Sequence, residues 1–219
     1  MSAFDDLVAV MARLRAPGGC PWDAEQTHAS LVPYAIEEAH ELAEAIEAGS
    51  GDDHLREELG DVLLQVVFHA DIARADGRFD IDDVARGLAE KLRRRHPHVF
   101  GDVAVDGVDE VVANWDALKR AEKPERESAL DGVPASLPAL ARAEKVVRRA
   151  ERAGLRLPEA DASAAVAQDA ETERDLGRAL LDIVRSASDR GLDAERALRG
   201  ATRALEHELR AQERDAAGT

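Results

Sequence analysis

The run Leu59–Phe68 constrains the fold of this chain more than any other feature of its sequence. It is apolar nearly all round, which predicts a helix buried at the centre of a bundle. Glu58, Asp61 and Gln65 nevertheless share one stripe of that helix, at positions i, i+3 and i+7. A carboxylate buried in such a place costs several kcal/mol unless a cation or a metal ion accompanies it. The fold must therefore bring a positive partner to this stripe.

Helical periodicity covers most of the sequence, and proline or glycine stands at the breaks. No convincing strand pattern appears, so we predict an all-α fold of the helical-bundle type. Asp80 is expected to cap the fourth helix, and Asp52 or Asp53 the third. The predicted helices run approximately over Phe4–Leu14, Leu31–Ala48, Leu55–Ala75, Ile81–Arg95, Asp109–Lys123, Leu137–Ala153, Glu171–Arg190 and Asp193–Arg214.

Residues 124–136 are rich in breakers and divide the chain into two helical regions. We expect a first domain over residues 1–123, a linker over 124–136 and a second domain over 137–219.

The composition narrows the class of partner. The formal charge is −16, which argues against duplex nucleic acid because phosphates require a cationic surface. No stretch approaches the roughly 18–20 apolar residues that cross a bilayer, and the amphipathic start of the chain is unlike a leader peptide. The single cysteine, Cys20, excludes an internal disulfide framework. We therefore expect a cytoplasmic protein with neither a membrane nor duplex nucleic acid as its partner.

The preceding helix carries a second pair of carboxylates in an unusual place. At about 100° per residue, Glu38 falls on the edge of an apolar stripe and Glu41 lies one turn further on. Glu38 and Glu41, like Glu58 and Asp61, are spaced i, i+3, and a short turn joins the two helices. Antiparallel packing would bring the pairs face to face, where a divalent cation would offset their repulsion. All-oxygen ligation suits Mg²⁺, or Mn²⁺ in its place.

Two simpler interpretations of the acidic residues remain. A solvated helix face explains Glu37, Glu44 and Glu47, which point progressively outward. A di-iron bundle needs Glu-x-x-His on two helices, and the sequence supplies it once, at Glu37-x-x-His40.

Cationic and aromatic side chains recur at helical spacing further along the chain. Lys91 and Arg95 lie one turn apart, and Trp115 and Lys119 repeat this i, i+4 spacing on the next helix. Helix-dipole compensation explains one or two such cations, and a lone Trp is usually a core residue. Taken with the carboxylates, however, the set indicates a nucleotide polyphosphate site that lacks a P-loop.

The motifs resemble those of the MazG family of all-α nucleoside triphosphate pyrophosphohydrolases. Glu37–Glu41 supplies the EExxE pattern, and Glu58–Asp61 supplies ExxD after sixteen intervening residues. The runs Gly19–Asp23 and Arg94–Phe100 are also similar to that family.

The resemblance implies hydrolysis of nucleoside triphosphates between the α and β phosphates, with Mg²⁺ as cofactor. It also implies a homodimer, a broad range of bases and a housecleaning role. By this resemblance Glu41 would be catalytic. Glu37 would be an extra catalytic carboxylate that orients or deprotonates water. The implied metal ligands are Glu38, Glu41, Glu58 and Asp61, and the implied substrate contacts are Lys91, Arg95, Trp115 and Lys119.

The second region contains a divergent copy of the ExxD segment. Glu58–Val67 recurs as Asp175–Val184, with Arg178 at the position of Asp61. A cation where a metal ligand should stand predicts that residues 137–219 form a degenerate, inactive helical domain with a structural role.

Other functions fit the same motifs. One is a dimeric helical interaction or regulatory protein that binds metal without turnover. Another is a narrower pyrophosphohydrolase of the superfamily, acting on dUTP and dCTP or on phosphoribosyl-ATP.

Overall fold

Helices make up the regular structure that the computed structural model of this chain describes. The described residues are 2–122, 128–157, 170 and 172–217, without the side chains of residues 109, 113, 116, 119, 120, 210 and 212–217. The all-α prediction is confirmed for this part of the chain. The helices are α1 (Ala3–Arg15), α2 (Pro21–Glu25), α3 (Val32–Glu47), α4 (Asp52–Ala75), α5 (Ile81–Arg95), α6 (Pro97–Phe100), α7 (Val108–Ala121), α8 (Ala139–Arg152), α9 (Glu173–Asp189) and α10 (Ala194–Ala217).

The helix starts follow from local capping. Asp80 caps α5 as predicted, in a reciprocal pair of hydrogen bonds with Asp83. The predicted cap of α4 is wrong, because Gly51 occupies the N-cap and Asp52 and Asp53 lie inside the first turn. There the two carboxylates still favour the helix, since they complement the positive end of its dipole.

Two short helices, α2 and α6, were not expected from the sequence. Each begins with a proline, Pro21 or Pro97, at its first position. Proline lacks an N–H, which the first turn of a helix does not use, so the residue that ends one helix can begin the next.

The chain forms two compact units, Met1–Asp116 and Ala117–Thr219. In the first unit, α4 packs against α1, α3 and α5. The core there consists of Met11, Leu31, Val67, Phe68 and Ile72. The second half of α4 is thus the central, buried helix that its apolar sequence predicts.

The middle of α4 differs in part from that prediction. Leu59, Leu63 and Val66 are 52, 37 and 42 % exposed in the single chain. A run that is apolar all round predicts burial, but it does not predict which elements bury it. In this unit α3 packs on the opposite face of α4 from Leu59, Leu63 and Val66.

A buried ion pair fixes α1 and α2 against α4. Asp71, only 6 % exposed, accepts hydrogen bonds from Arg15 at 3.0 Å and from Arg74 at 2.7 Å. Arg15 also donates to the backbone oxygen of Asp23 at 2.6 Å and lies over the ring of Phe68. The charge of Asp71 is therefore satisfied within the fold and is unavailable to a ligand.

In the second unit, α8, α9 and α10 pack against one another. Val147, Ala150, Val184 and Ala187 are buried between them. Arg149 of α8 donates to the backbone oxygen of Asp131 at 2.7 Å, which holds the described part of the segment before α8. No described helix combines the length and apolar composition that a bilayer span requires.

Candidate metal centre

Helices α3 and α4 form the hairpin that carries the acidic residues. Residues 48–51 connect them, and Gly49 adopts φ = +65° directly after the C-cap of α3. A glycine in the left-handed region ends a helix and reverses the chain, so α3 and α4 pack antiparallel. Leu31 and Ala45 are buried near either end of α3, which orients its face toward α4.

Three carboxylates converge between the two helices. One oxygen each from Glu38, Glu58 and Asp61 lie within 4.8 Å of one another. Glu58 is buried at 8 % exposure, and Glu38 and Asp61 are half-buried. The fourth predicted ligand, Glu41, is exposed one turn further along α3, close enough for its charge to raise the pKa of Glu38. The antiparallel arrangement thus gathers three of the four carboxylates closely, with the fourth beside them.

The electrostatics of this cluster favour a positive ligand. Burial, followed by the charges of Asp61, Glu41 and Glu58, raises the pKa of Glu38 above its ordinary value. A raised pKa means that the charged form of the Glu38 carboxyl group is disfavoured at this position. Protonation is the response of a carboxyl group that lacks a cationic partner.

Lysine and arginine side chains do not neutralise the cluster in the part of the chain that the structure describes. There, no lysine or arginine forms an ion pair with Glu38, Glu58 or Asp61. One buried oxygen of Glu58, Oε2, has no hydrogen-bond partner among the described groups. An acceptor-only set of close oxygens with an unsatisfied buried member fits a hard divalent cation such as Mg²⁺.

His54 is a neighbour of the cluster that the sequence analysis missed. Its Nδ1 lies 3.4 Å from Oε1 of Glu58, at i, i+4 on α4. That spacing places His54 on the same stripe as Glu58, Asp61 and Gln65, so helical phase could have identified it.

The other predicted site residues with described side chains lie on α3, α5 and α7. Glu37 is exposed on α3, as its helical phase predicts. Lys91 is exposed and Arg95 half-buried on α5, and half-buried Trp115 of α7 meets the ring of His96 edge-on at 5.0 Å. The side chain of Lys119 lies outside the described residues. The substrate roles of these residues stay predictions.

The Gly19–Asp23 motif builds the corner between α1 and α2. A Cβ at Gly19 would collide with the carbonyl oxygens of Arg13 and Leu14, so only glycine fits there. Beyond the corner, the exposed ring of Trp22 packs edge-on against Tyr34 at 5.8 Å. Tyr34 lies one turn before Glu38 on α3, which places this corner beside the carboxylates.

Comparison with known proteins decides the family. A family model described as the MazG nucleotide pyrophosphohydrolase domain matches residues 26–100. A nucleoside triphosphate pyrophosphohydrolase of Escherichia coli K12 is 41 % identical over 233 residues, covering 98 % of this chain and 88 % of that protein. The chain belongs to the MazG family. The resemblance drawn from the motifs is thereby confirmed.

Other MazG relatives are similar over most of the chain. The nucleoside triphosphate pyrophosphohydrolase/pyrophosphatase MazG of Thermotoga maritima is 44 % identical, over 91 % of this chain and 81 % of its own length. A Mycobacterium tuberculosis nucleoside triphosphate pyrophosphohydrolase is 45 % identical over 90 % of this chain and 60 % of its own. The MazG match over residues 26–100 includes the α3–α4 carboxylates as well as Lys91 and Arg95.

Proposed function

We propose that this chain hydrolyses nucleoside triphosphates between the α and β phosphates, releasing a nucleoside monophosphate and pyrophosphate. The observation that carries the proposal is the cluster of three carboxylate oxygens within 4.8 Å that no described lysine or arginine neutralises. The names of the relatives, which are nucleoside triphosphate pyrophosphohydrolases, support the same reaction.

Glu38, Glu58 and Asp61 would hold Mg²⁺, with Mn²⁺ as a possible substitute. Glu41, which lies one turn after Glu38 on α3, would join them as a fourth ligand. A bound Mg²⁺ supplies acidity to coordinated water and offsets charge on phosphate oxygens and on the leaving pyrophosphate. We assign the water-orienting role to Glu41 and, from the exposed face of α3, to Glu37.

The site would bind its substrate through the phosphates and the planar base that all nucleoside triphosphates share. Lys91, Arg95 and Lys119 would compensate phosphate charge, and Trp115 would offer a plane for stacking a base. Phosphate contacts and stacking discriminate poorly between bases. We therefore extend the proposal to a broad base range and to housecleaning of the cytoplasmic nucleotide pool.

We also propose that two copies of the chain associate through the first unit. Leu59, Leu63 and Val66 form an exposed apolar stripe on α4 at i, i+4 and i+7. Val84, Leu88 and Leu92 form another on α5, 37 to 49 % exposed. A helical bundle that lacks helices on one side is completed by a second copy. Light scattering coupled to size exclusion should give a dimer, and Leu63→Glu should reduce it to a monomer.

For the second unit we propose a structural role without catalysis. Asp175, the counterpart of Glu58, hydrogen-bonds to Thr172 at the start of α9, and Arg178, the counterpart of Asp61, is exposed. No group of metal-ligating side chains comparable to that of α3 and α4 occurs among the described residues of this unit.

The test is product analysis across a panel of canonical, deoxy and damaged triphosphates, with Mg²⁺ or with EDTA. We expect monophosphate and pyrophosphate from several bases in Mg²⁺ only, and losses of at least 100-fold in kcat for Glu38→Gln and Asp61→Asn. Glu44→Gln, an equal change of charge on the exposed face of α3, serves as the matched control. Folded protein without turnover would contradict the proposal, and turnover of dUTP and dCTP alone would contradict its breadth.

A further inference from the structure

Gln65 carries a second unsatisfied oxygen on the stripe that bears Glu58 and Asp61. The residue is 8 % exposed, and its Oε1 is buried without a hydrogen-bond partner among the described residues. It follows Asp61 by four positions and Glu58 by seven, so the three side chains project from one face of α4. A buried acceptor left unpaired costs about 1–3 kcal/mol.

The described core next to Gln65 is apolar. The residues that follow Gln65 toward the core, Val67 and Phe68, are 1 and 3 % exposed and apolar. A methionine would fill a similar volume there without an unsatisfied oxygen, so the amide lowers the stability of the described structure. The amide oxygen therefore needs a hydrogen-bond donor from a bound group.

A water bound to the metal ion is a hydrogen-bond donor of the required kind. Side chains at i and i+4 on a helix have Cβ atoms about 6 Å apart. An oxygen that coordinates Mg²⁺ directly lies about 2.1 Å from the ion, and an oxygen that accepts a hydrogen bond from a coordinated water lies roughly 4–4.5 Å from it. Mg²⁺ usually keeps several of its waters in protein sites, and outer-shell partners orient them.

We propose that Gln65 is a positioning residue whose buried amide oxygen accepts a hydrogen bond from water on the metal ion held by Glu38, Glu58 and Asp61. The inference rests on the proposed function, since it requires that ion. It adds to the four carboxylates a neutral side chain that fixes a water without contributing charge.

The test combines Mn²⁺ binding without nucleotide, followed by electron paramagnetic resonance, with thermal unfolding in EDTA. For Gln65→Met we expect Mn²⁺ affinity to fall about 10- to 100-fold, while the unfolding temperature in EDTA stays constant or rises. Gln65→Glu, which keeps an acceptor oxygen, should retain Mn²⁺ binding. Leu64→Met, a volume-conserving change at the adjacent position, should alter neither measurement.

Each contrary outcome has a distinct meaning. Unchanged Mn²⁺ affinity in Gln65→Met would overturn this inference but not the proposed function. If that variant also had a raised KM for nucleotide, the donor to Gln65 would belong to the substrate. A lowered unfolding temperature in EDTA would show that the amide serves the fold, which also overturns the inference. If the wild-type protein binds no Mn²⁺, the proposed function fails as well.

Discussion

Removal of one carboxylate from the cluster should have opposite effects on stability without and with metal. Asp61→Asn removes a negative charge whose oxygen lies within 4.8 Å of those of Glu38 and Glu58. At 4.8 Å two unit charges repel by about 3.5 kcal/mol at an effective dielectric constant of about 20, and by about 0.9 kcal/mol in water. Because Glu38 and Asp61 are only partly buried, water screens part of this repulsion, and we expect a net gain of about 1–2 kcal/mol in EDTA.

Calorimetry can measure both signs of this effect. For a chain of this size each kcal/mol shifts the unfolding temperature by about 2–4 °C, so Asp61→Asn should unfold several degrees above wild type in EDTA. Mg²⁺ at about 100 times its dissociation constant stabilises a binding protein by about 2.7 kcal/mol, so wild type should gain stability that the variant lacks. Glu44→Gln provides the charge-matched control and should follow wild type in both conditions. A lower unfolding temperature of Asp61→Asn in EDTA would refute the reasoning, because the carboxylate would then have a stabilising partner.

Further predictions concern pH and the buried ion pair. Burial lowers the pKa of His69, and the neighbouring His28, whose Nδ1 lies 2.8 Å from that of His69, lowers it further. As the pH falls, the unfolded chain therefore takes up a proton at this histidine before the folded chain does. Stability should therefore be complete above about pH 6.5 and decrease as the pH falls through that value, and His69→Gln should flatten the decrease in pH-dependent calorimetry. Asp71→Asn should cost about 3–5 kcal/mol in urea unfolding, because Arg15 loses its buried partner while Arg74 remains half-exposed. A cost below about 1 kcal/mol would show that the pair is not desolvated.

Helical phase is sufficient to predict the centre of the site. The positions of Glu38, Glu58 and Asp61 on their helices disagree with their polarity, and this disagreement identifies them because the periodicity of a helix is a local property. A short turn between two helices then fixes their antiparallel packing, so the face-to-face arrangement also follows from the sequence.

Other features depend on information that a local pattern does not contain. Pro21 and Pro97 mark either the end of a helix or the first residue of a new one, and the choice depends on the tertiary path of the chain. The exposure of Leu59 and Leu63 depends on which helices of the same chain reach them. The unsatisfied oxygen of Gln65 is an atomic property, visible only after its neighbours are in place.

The most direct test of the account is a crystal structure of the protein grown with Mn²⁺, with anomalous scattering to locate the metal. We expect an anomalous peak between α3 and α4, bonded to carboxylate oxygens of Glu38, Glu58 and Asp61. A structure without a peak there, in which lysine or arginine side chains neutralise these three carboxylates, would contradict the account.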